Sequence, residues 1–480
     1  MTQTVVTWAA FEPVLPEMLL VGVGIGLVFM DLFFRKQREL LPWLTILGSL
    51  TVLGMVLGER YTSGFGGMFL TDSYGVFFKV ICLMGLIMTA LMSEHHNRVQ
   101  GLHQGEYYSL MVFSAVGMMI MASAGDLMVL YLGLELMALS VYCLVGMLKG
   151  DQRASEAAVK YFLMGGFASA ILLYGMSLLY GLTGTTSITG IASYINDTGL
   201  IANPVLLGAL GLLIVGFCFK TAVAPFHFWT PDVYEGAPTT VTAFMSVGPK
   251  AAGFAVFGRV LVQGFPELHG QWGTLLAFLA LLTMAVGNIT ALSQTSIKRM
   301  LAYSAIAHAG YALLGVLAGT PEGLSATMNY LLIYGFMNMG AFAILVLLAG
   351  KDNRRESLDD YRGLARSNPL AAMLMLIFMF SLTGIPPMAG FIGKFYLIKA
   401  ALGAGYTGTV IGAVIFSTIS AYYYLRVVRY MYMSDPQGTL ELSYSPGISA
   451  VLGLALLGVI GLGLAPGTVI GRAAMSLLGQ

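Results

Sequence analysis

The sequence predicts an all-α polytopic membrane protein with about 14 transmembrane helices, ten of them arranged as two inverted five-helix repeats that contain broken helices. Three observations lead there. Hydrophobic residues make up 57% of the 480 residues and charged ones only 10%, against roughly a quarter charged in soluble domains. Apolar runs of about twenty residues, long enough to cross a ~30 Å hydrocarbon core, recur along the whole chain. Two stretches also match each other at a constant offset of 169 residues.

Charge clusters, Gly/Pro pairs and polar runs divide the apolar sequence into spans near 14–34, 42–58, 74–93, 107–123, 126–148, 155–181, 204–229, 238–262, 272–293, 297–318, 324–350, 368–403, 408–433 and 446–470. The runs at 204–229 and 368–403 are unusually long and carry proline in mid-run. Lysine and arginine collect in cytoplasmic loops, which tests this division. After spans 1, 3, 5, 9, 11 and 13 come Arg35, Lys36, Arg38, Arg98, Lys149, Arg153, Lys298, Arg299, Lys351, Arg354, Arg355, Arg362, Arg366, Arg426 and Arg429, whereas the other side has only Arg60, Arg259 and Arg472. The asymmetry supports the helix parity and predicts an N-terminus on the periplasmic side of a bacterial inner membrane. The first apolar run has acids before it and its basic cluster after it, so it reads as a retained anchor rather than a cleaved signal.

The repeat places Lys160, Tyr161, Gly166 and Phe167 over Asn329, Tyr330, Gly335 and Phe336, and Tyr142 and Gly146 over Tyr311 and Gly315. If residues 107–265 (helices 4–8) and 266–433 (helices 9–13) are the two units, each has an odd number of helices. The second unit must then enter the membrane from the opposite side, an arrangement found in transporters with the pathway near the midplane. Residues 1–106 would supply helices 1–3, and 434–480 the last helix.

The net charge of +1 and the lack of basic stretches interleaved with aromatics give no sign of a nucleic-acid partner. Cys82, Cys143 and Cys218 all fall inside apolar runs without a CxxC spacing, so they read as small core residues, not metal or cluster ligands. No GxGxxG strand–helix unit or cysteine quartet is present to hold a dinucleotide or a cluster, so no cofactor is expected in this chain.

An ionisable side chain at the centre of a span costs at least ~2.5–3.5 kcal/mol, so depth along each helix sorts the charges. Glu135, within Tyr131–Ser140, is the only carboxylate well inside a span; Lys250 is near the middle of its own, and Lys220 and Lys394 are past the centre of theirs. A Glu and a Lys on neighbouring helices can neutralise each other. A lysine buried without a permanent partner can exchange its proton near neutral pH, which a solvated lysine of pKa ~10.4 cannot do. Lys79, Lys160 and Lys399 are near span ends and could extend to the interface. His308 in mid-span and His227 after Pro225 can relay protons or serve packing alone. His95, His96 and His103 read as solvated loop residues.

Prolines stand beside the deep lysines: Pro225 five residues after Lys220, Pro249 directly before Lys250, and Pro386 and Pro387 before Lys394. A mid-helix proline frees the carbonyl four residues back, here those of Thr221 and Leu382. Such groups are tolerated at membrane depth only where protein or a water-filled cavity satisfies them.

The stretch from Phe219 to Thr239, with Lys220, Pro225, His227, Trp229, Pro231, Asp232, Tyr234, Glu235, Gly236 and Pro238, resembles the antiporter-like membrane subunits of respiratory complex I and their relatives in multisubunit cation/proton antiporters. Leu134, Glu135 and Tyr142 fit the same pattern, and the resemblance covers nearly the whole chain. Lysine at 394 and the absence of a long C-terminal extension favour the N-type branch over the M and L branches. The resemblance implies a proton-translocating subunit of an NADH:quinone oxidoreductase. Glu135 and Lys220 would be a coupling charge pair, Lys250 the central carrier and Lys394 the group facing the exit, with Lys160, His227 and His308 as relays. It also implies that flavin, iron–sulfur clusters and the quinone site reside in partner subunits, and that this chain contacts other membrane-arm subunits and lipid. The alternative it leaves open is a subunit of a multisubunit Na⁺/H⁺ antiporter. Ser304 lies under Glu135 in the repeat, so the second half lacks its own coupling acid.

Overall fold

A computed structural model describes residues 10–349, 355–436, 442 and 444–467. Lys351, Arg354, Arg472 and the last residues of the run at 446–470 lie outside them. The helices are α1 (Leu15–Phe33), α2 (Leu41–Leu57), α3 (Ser73–Gln100), α4 (Gly105–Ser123), α5 (Leu127–Val145), α6 (Gln152–Thr183), α7 (Ile188–Thr198), α8 (Pro204–Thr221), α9 (Trp229–Gly236), α10 (Thr239–Arg259), α11 (His269–Leu292), α12 (Ile297–Leu317), α13 (Pro321–Leu348), α14 (Leu364–Ser367), α15 (Pro369–Thr383), α16 (Ala389–Gly403), α17 (Thr407–Met433) and α18 (Pro446–Leu464). Among the described residues, 13 helical stretches are long and apolar enough to cross a membrane. The discontinuous pair α15 and α16 makes up the remaining expected span.

Capping chemistry sets many of the helix ends. Asp72, Asp126, Asp151, Asn203, Ser296, Thr320 and Ser445 each accept a backbone N–H of the first turn with their side chains, which satisfies donors the helix itself cannot pair. Of the runs with a mid-run proline, those at 204–229 and 368–403 break. After α8 the chain leaves helical geometry at Ala222, which has φ +61°, and after α15 at Gly384, with φ +92°. Pro249, by contrast, sits inside a continuous α10.

Three features were not expected. The amphipathic helix α7 buries Ile188, Ile191 and Ile195 on one face, too short a stripe to read as a span. A small hairpin, β1 (Thr62–Gly64) and β2 (Phe69–Thr71), pairs antiparallel between α2 and α3. The third concerns Lys79, expected at the interface: it is fully buried, with its ammonium 2.9 Å from Glu17 and 3.1 Å from Glu59. Two carboxylates from α1 and the loop after α2 neutralise it where it stands, so it has no need of solvent. Two smaller expectations also change. Cys143 is exposed on α5, while Cys82 and Cys218 are buried. His96, expected in solvent, is buried because α3 continues to Gln100.

The centre of the bundle is α10, α12 and α13. Every residue of α10 is buried, so its polar groups face protein and not lipid. Close helix crossings depend on glycine: a Cβ at Gly117 would stand 2.5 Å from Met137 N, and one at Gly287 2.5 Å from Ala307 N. Small residues at such crossings let membrane helices approach.

The element order α4, α5, α6, α8, α9, α10 is followed by α11, α12, α13, α15, α16, α17 in the same sense. The isolated bridge Asp126–Ser187 at the start of α5 has its counterpart in Ser296–Ser357 at the start of α12. The caps Asp151 and Thr320 open α6 and α13 in the same way.

Candidate functional site

Lys220, Lys250, Lys394, His227 and His308 are all buried, none more than 7% exposed. Four of these five, Glu135 and Lys160 fall into three groups with different chemistry, with His227 at the first break.

The first group joins α5 and α8. Lys220, in the last turn of α8, donates to the Tyr142 hydroxyl at 3.4 Å and lies over that ring at 5.7 Å. Glu135, half-buried on α5, lies within electrostatic range of Lys220 but forms no ion pair with it. The expected charge pair is therefore spaced, with Tyr142 between. One Glu135 oxygen, Oε1, is buried with no hydrogen-bond partner among the described residues. In the break after α8, the Trp229 indole donates to Phe219 O at 2.9 Å. His227 stacks on Phe228 there, and its Nδ1 is buried without a hydrogen-bond partner among the described residues.

The second group is the centre and the second half. The Lys250 ammonium donates to Ala305 O of α12 at 2.5 Å and sits 5.2 Å from the Tyr334 ring centroid. The same ring is 5.0 Å from His308. His308 bonds Tyr330 OH through Nδ1 at 2.5 Å and Tyr424 OH through Nε2 at 3.1 Å. The Tyr424 ring packs against that of Tyr423, with centroids 4.3 Å apart. Tyr423 donates to Asn288 Oδ1 at 3.0 Å, and Asn288 Nδ2 donates to Tyr311 OH at 3.4 Å. Tyr311 then meets Ser417, which accepts from Lys394 Nζ at 3.1 Å. Lys394 also donates to Leu382 O at 3.1 Å and Thr383 O at 2.8 Å. The carbonyl that Pro386 frees is thus taken up by the buried lysine itself, which explains why break and lysine occur together.

The third group is peripheral. Lys160, expected near a span end, is 43% exposed along its side chain, with its ammonium 2.7 Å from Glu156 and 2.9 Å from Asp232. Arg299 adds contacts to Asp232 at 3.1 Å and Glu235 at 2.5 Å. This clasp ties α6, α9 and α12 together beside a cavity of about 280 Å³. Partial burial would raise the Asp232 carboxyl, but Lys160 and Arg299 outweigh it and hold it below the usual carboxylate range. The structure brings Lys250, His308 and Lys394 into one line and leaves Lys160 outside it. Tyr142, Asn288, Tyr311, Ser417, Tyr423 and Tyr424 were missed. Only Tyr142 and Tyr311 carried a signal, as matched positions of the repeat.

Among the described residues there is no group of three or more His, Cys, Asp or Glu side chains placed to hold a metal ion. What the arrangement can do is hold and pass protons between buried amines, an imidazole and hydroxyls.

A multi-pass helical bundle with two broken helices and buried lysines beside the breaks defines an antiporter-like membrane protein. The profile described as NADH:quinone oxidoreductase/Mrp antiporter, TM, matches residues 124–420, and the chain belongs to that family. It is 52% identical to NADH-quinone oxidoreductase subunit N of Desulfovibrio desulfuricans, over 97% of this chain and 98% of the relative. It is 46% identical to the protein of the same name from Trichlorobacter lovleyi, over 95% and 94%. Among solved structures, a chain of Thermus thermophilus respiratory complex I with bound aureothin superposes with a TM-score of 0.80 at 35% identity, covering 96% of this chain and 99% of that one. A chain of the Mrp complex from Dietzia sp. DQ12-45-1b superposes at 0.83 with 20% identity, covering 98% and 97%, and shares the fold.

Proposed function

We propose that this chain is the N-type, proton-translocating membrane-arm subunit of an NADH:quinone oxidoreductase. The observation that carries this reading is the buried line from Lys250 through His308 to Lys394, in a chain 52% identical along nearly its whole length to a protein named as that subunit. The Na⁺/H⁺ antiporter reading has less support, since the Mrp likeness is at 20% identity.

In this reading Lys250 is the central carrier. Its ammonium is held by one carbonyl and a ring face, with no counter-charge, so release of its proton leaves no buried anion behind. His308 passes the proton toward Lys394, and the Pro386 break hydrates the far side. Glu135 responds to charge on a neighbouring membrane subunit and shifts the balance at Lys220 through Tyr142. Lys160 and His227 serve the approach to Lys220. Helices 4–8 (107–265) and 9–13 (266–433) are inverted repeats, residues 1–106 and 434–480 flank them, and the N-terminus is periplasmic in a bacterial inner membrane. NADH, flavin, iron–sulfur clusters and quinone are handled by partner subunits. Donor-driven proton uptake by reconstituted complex tests this. Lys250→Ala is expected to lower it by about tenfold or more, about 1.4 kcal/mol or more of added barrier, while the complex still assembles. Unchanged proton-to-electron stoichiometry in the assembled variant would overturn the reading.

A further inference from the structure

A cavity of about 1070 Å³ opens on the lysine- and arginine-rich face, away from the line just described, with Gln100, Gln104, Lys149, Ala237, Lys298 and Glu356 among its walls. Its floor is charged and closed. Lys298, only 1% exposed, donates to Ala237 O at 2.7 Å and pairs with Glu356 at 3.0 Å. One helical turn below Gln100 on α3 is His96, 3% exposed, within electrostatic range of Lys298 and His95. Its Nε2 is buried without a hydrogen-bond partner among the described residues, and so are both terminal atoms of the fully buried Asn97. Buried polar atoms left this way are costly, and in folded proteins ordered water usually serves them.

The polar stripe continues inward. Asn97 stands beside the Tyr107 and Tyr108 hydroxyls. Tyr107 OH is 2.8 Å from Ser93 Oγ and donates to Thr240 Oγ1 at 2.9 Å. Thr240 begins the fully buried helix that carries Lys250. Between them, Ser246 accepts from Asn338 Nδ2 at 2.5 Å, and Asn338 Oδ1 is again buried without a partner. His103, between two residues of the cavity wall, meets Tyr108 OH through Nδ1 at 3.5 Å. Neither histidine belongs to the path proposed above.

We propose that His96, one helical turn beneath Gln100 of the vestibule wall, is a proton-collecting residue that feeds Lys250 along α10 through Asn97, Tyr107, Thr240 and Ser246, separately from the Lys160 side. His96 Nε2 takes a proton from vestibule water and yields it to water held by Asn97. The Tyr107 hydroxyl passes one proton to Thr240 as it receives another, so one proton moves inward and no charge is left behind. The carboxamides of Asn97 and Asn338 position water and do not themselves relay. This inference rests on Lys250 being the central carrier.

The test uses whole complex in proteoliposomes with the lysine-rich face outward. Assembly is verified by electron input from NADH to ferricyanide, a reaction of the partner subunits. His96→Ala is expected to slow NADH-driven proton uptake by about tenfold, the low side of what positioned proton-transfer groups contribute. Millimolar imidazole, which the open vestibule admits, is expected to restore most of it, while leaving Lys250→Ala unrestored. Should His96→Ala fail to assemble, His96→Gln keeps the packing and loses the same function. Wild-type uptake in the His96 variant, or a loss that imidazole does not repair, overturns the proposal. If Lys250→Ala itself pumps normally, the reading of Lys250 fails instead.

Discussion

The surroundings of Lys220 and of Lys394 are built differently. Around Lys220 the polar groups are few and incompletely satisfied: a single 3.4 Å bond to Tyr142, a Glu135 oxygen without a partner, and His227 Nδ1 unpaired. Around Lys394 they are dense, with three acceptors on one ammonium and a run of hydroxyls and an amide leading back toward His308. No direct hydrogen bond joins Lys220 to Lys250 among the described residues. A sparse polar site in a low-dielectric setting responds strongly to any charge that moves nearby, whereas a dense network resists. The difference teaches that, on the proposed reading, the Lys220 group would receive a signal and the Lys394 group would conduct.

That contrast can be broken by mutation. The largest effect is expected at Glu135→Gln, which removes the carboxylate within electrostatic range of Lys220; coupled proton uptake should fall by about tenfold, with the protein still inserted. Combined with Lys220→Ala, the loss should be far from additive, since the two act as one unit. Simple multiplication of the two effects would mean that they do not communicate. A smaller effect is expected at Tyr424→Phe, which cuts the His308 branch but leaves its bond to Tyr330. Uptake should fall by about two- to fivefold, the scale of one modest hydrogen bond, with a larger solvent isotope effect. An unchanged isotope effect would argue that protons bypass the hydroxyls. Asn288→Leu is expected to resemble Tyr424→Phe, because either breaks the same chain.

The smallest effect belongs to the peripheral clasp. Asp232 titrates below the ordinary carboxylate value, so its ion pairs stabilise the fold above roughly pH 3.9, and that contribution fades as pH falls through the folded value. Asp232→Asn should therefore lower the melting temperature slightly at neutral pH, with the gap to wild type closing in acid. Thermal unfolding in detergent at several pH values measures this. A gap that widened on acidification would mean Asp232 is not held as an anion.

Much of this was legible in the sequence because membranes make charge expensive. Depth along each run separated Lys250 and Lys394 from exposed Lys399 without knowledge of a neighbour. The same logic failed at Lys79. Its position near a span end suggested an interface, but its partners Glu17 and Glu59 come from 62 and 20 residues earlier in the chain. Lys160, also near a span end, is partly exposed as that position suggests, but its partner Asp232, 72 residues away, was not foreseen. Proline spacing marked three places for a break; the chain breaks near Pro225 and Pro386 but α10 runs on through Pro249, and the acceptor freed by Pro386 was named before its donor was known. The tyrosines and Asn288 gave little warning, since an aromatic or an amide in an apolar run also reads as packing.

Hydropathy, proline chemistry and charge asymmetry act along a single helix or loop, so the sequence alone determined the span order, the two broken runs and the depth of Lys220, Lys250 and Lys394. Which groups touch is a property of helices brought together from distant positions. The spaced Glu135–Lys220 pair, the His308–Lys394 connection and the buried His96 were therefore decided only by the tertiary structure, where the packing of α10, α12 and α13 fixes the distance between side chains that no local pattern relates.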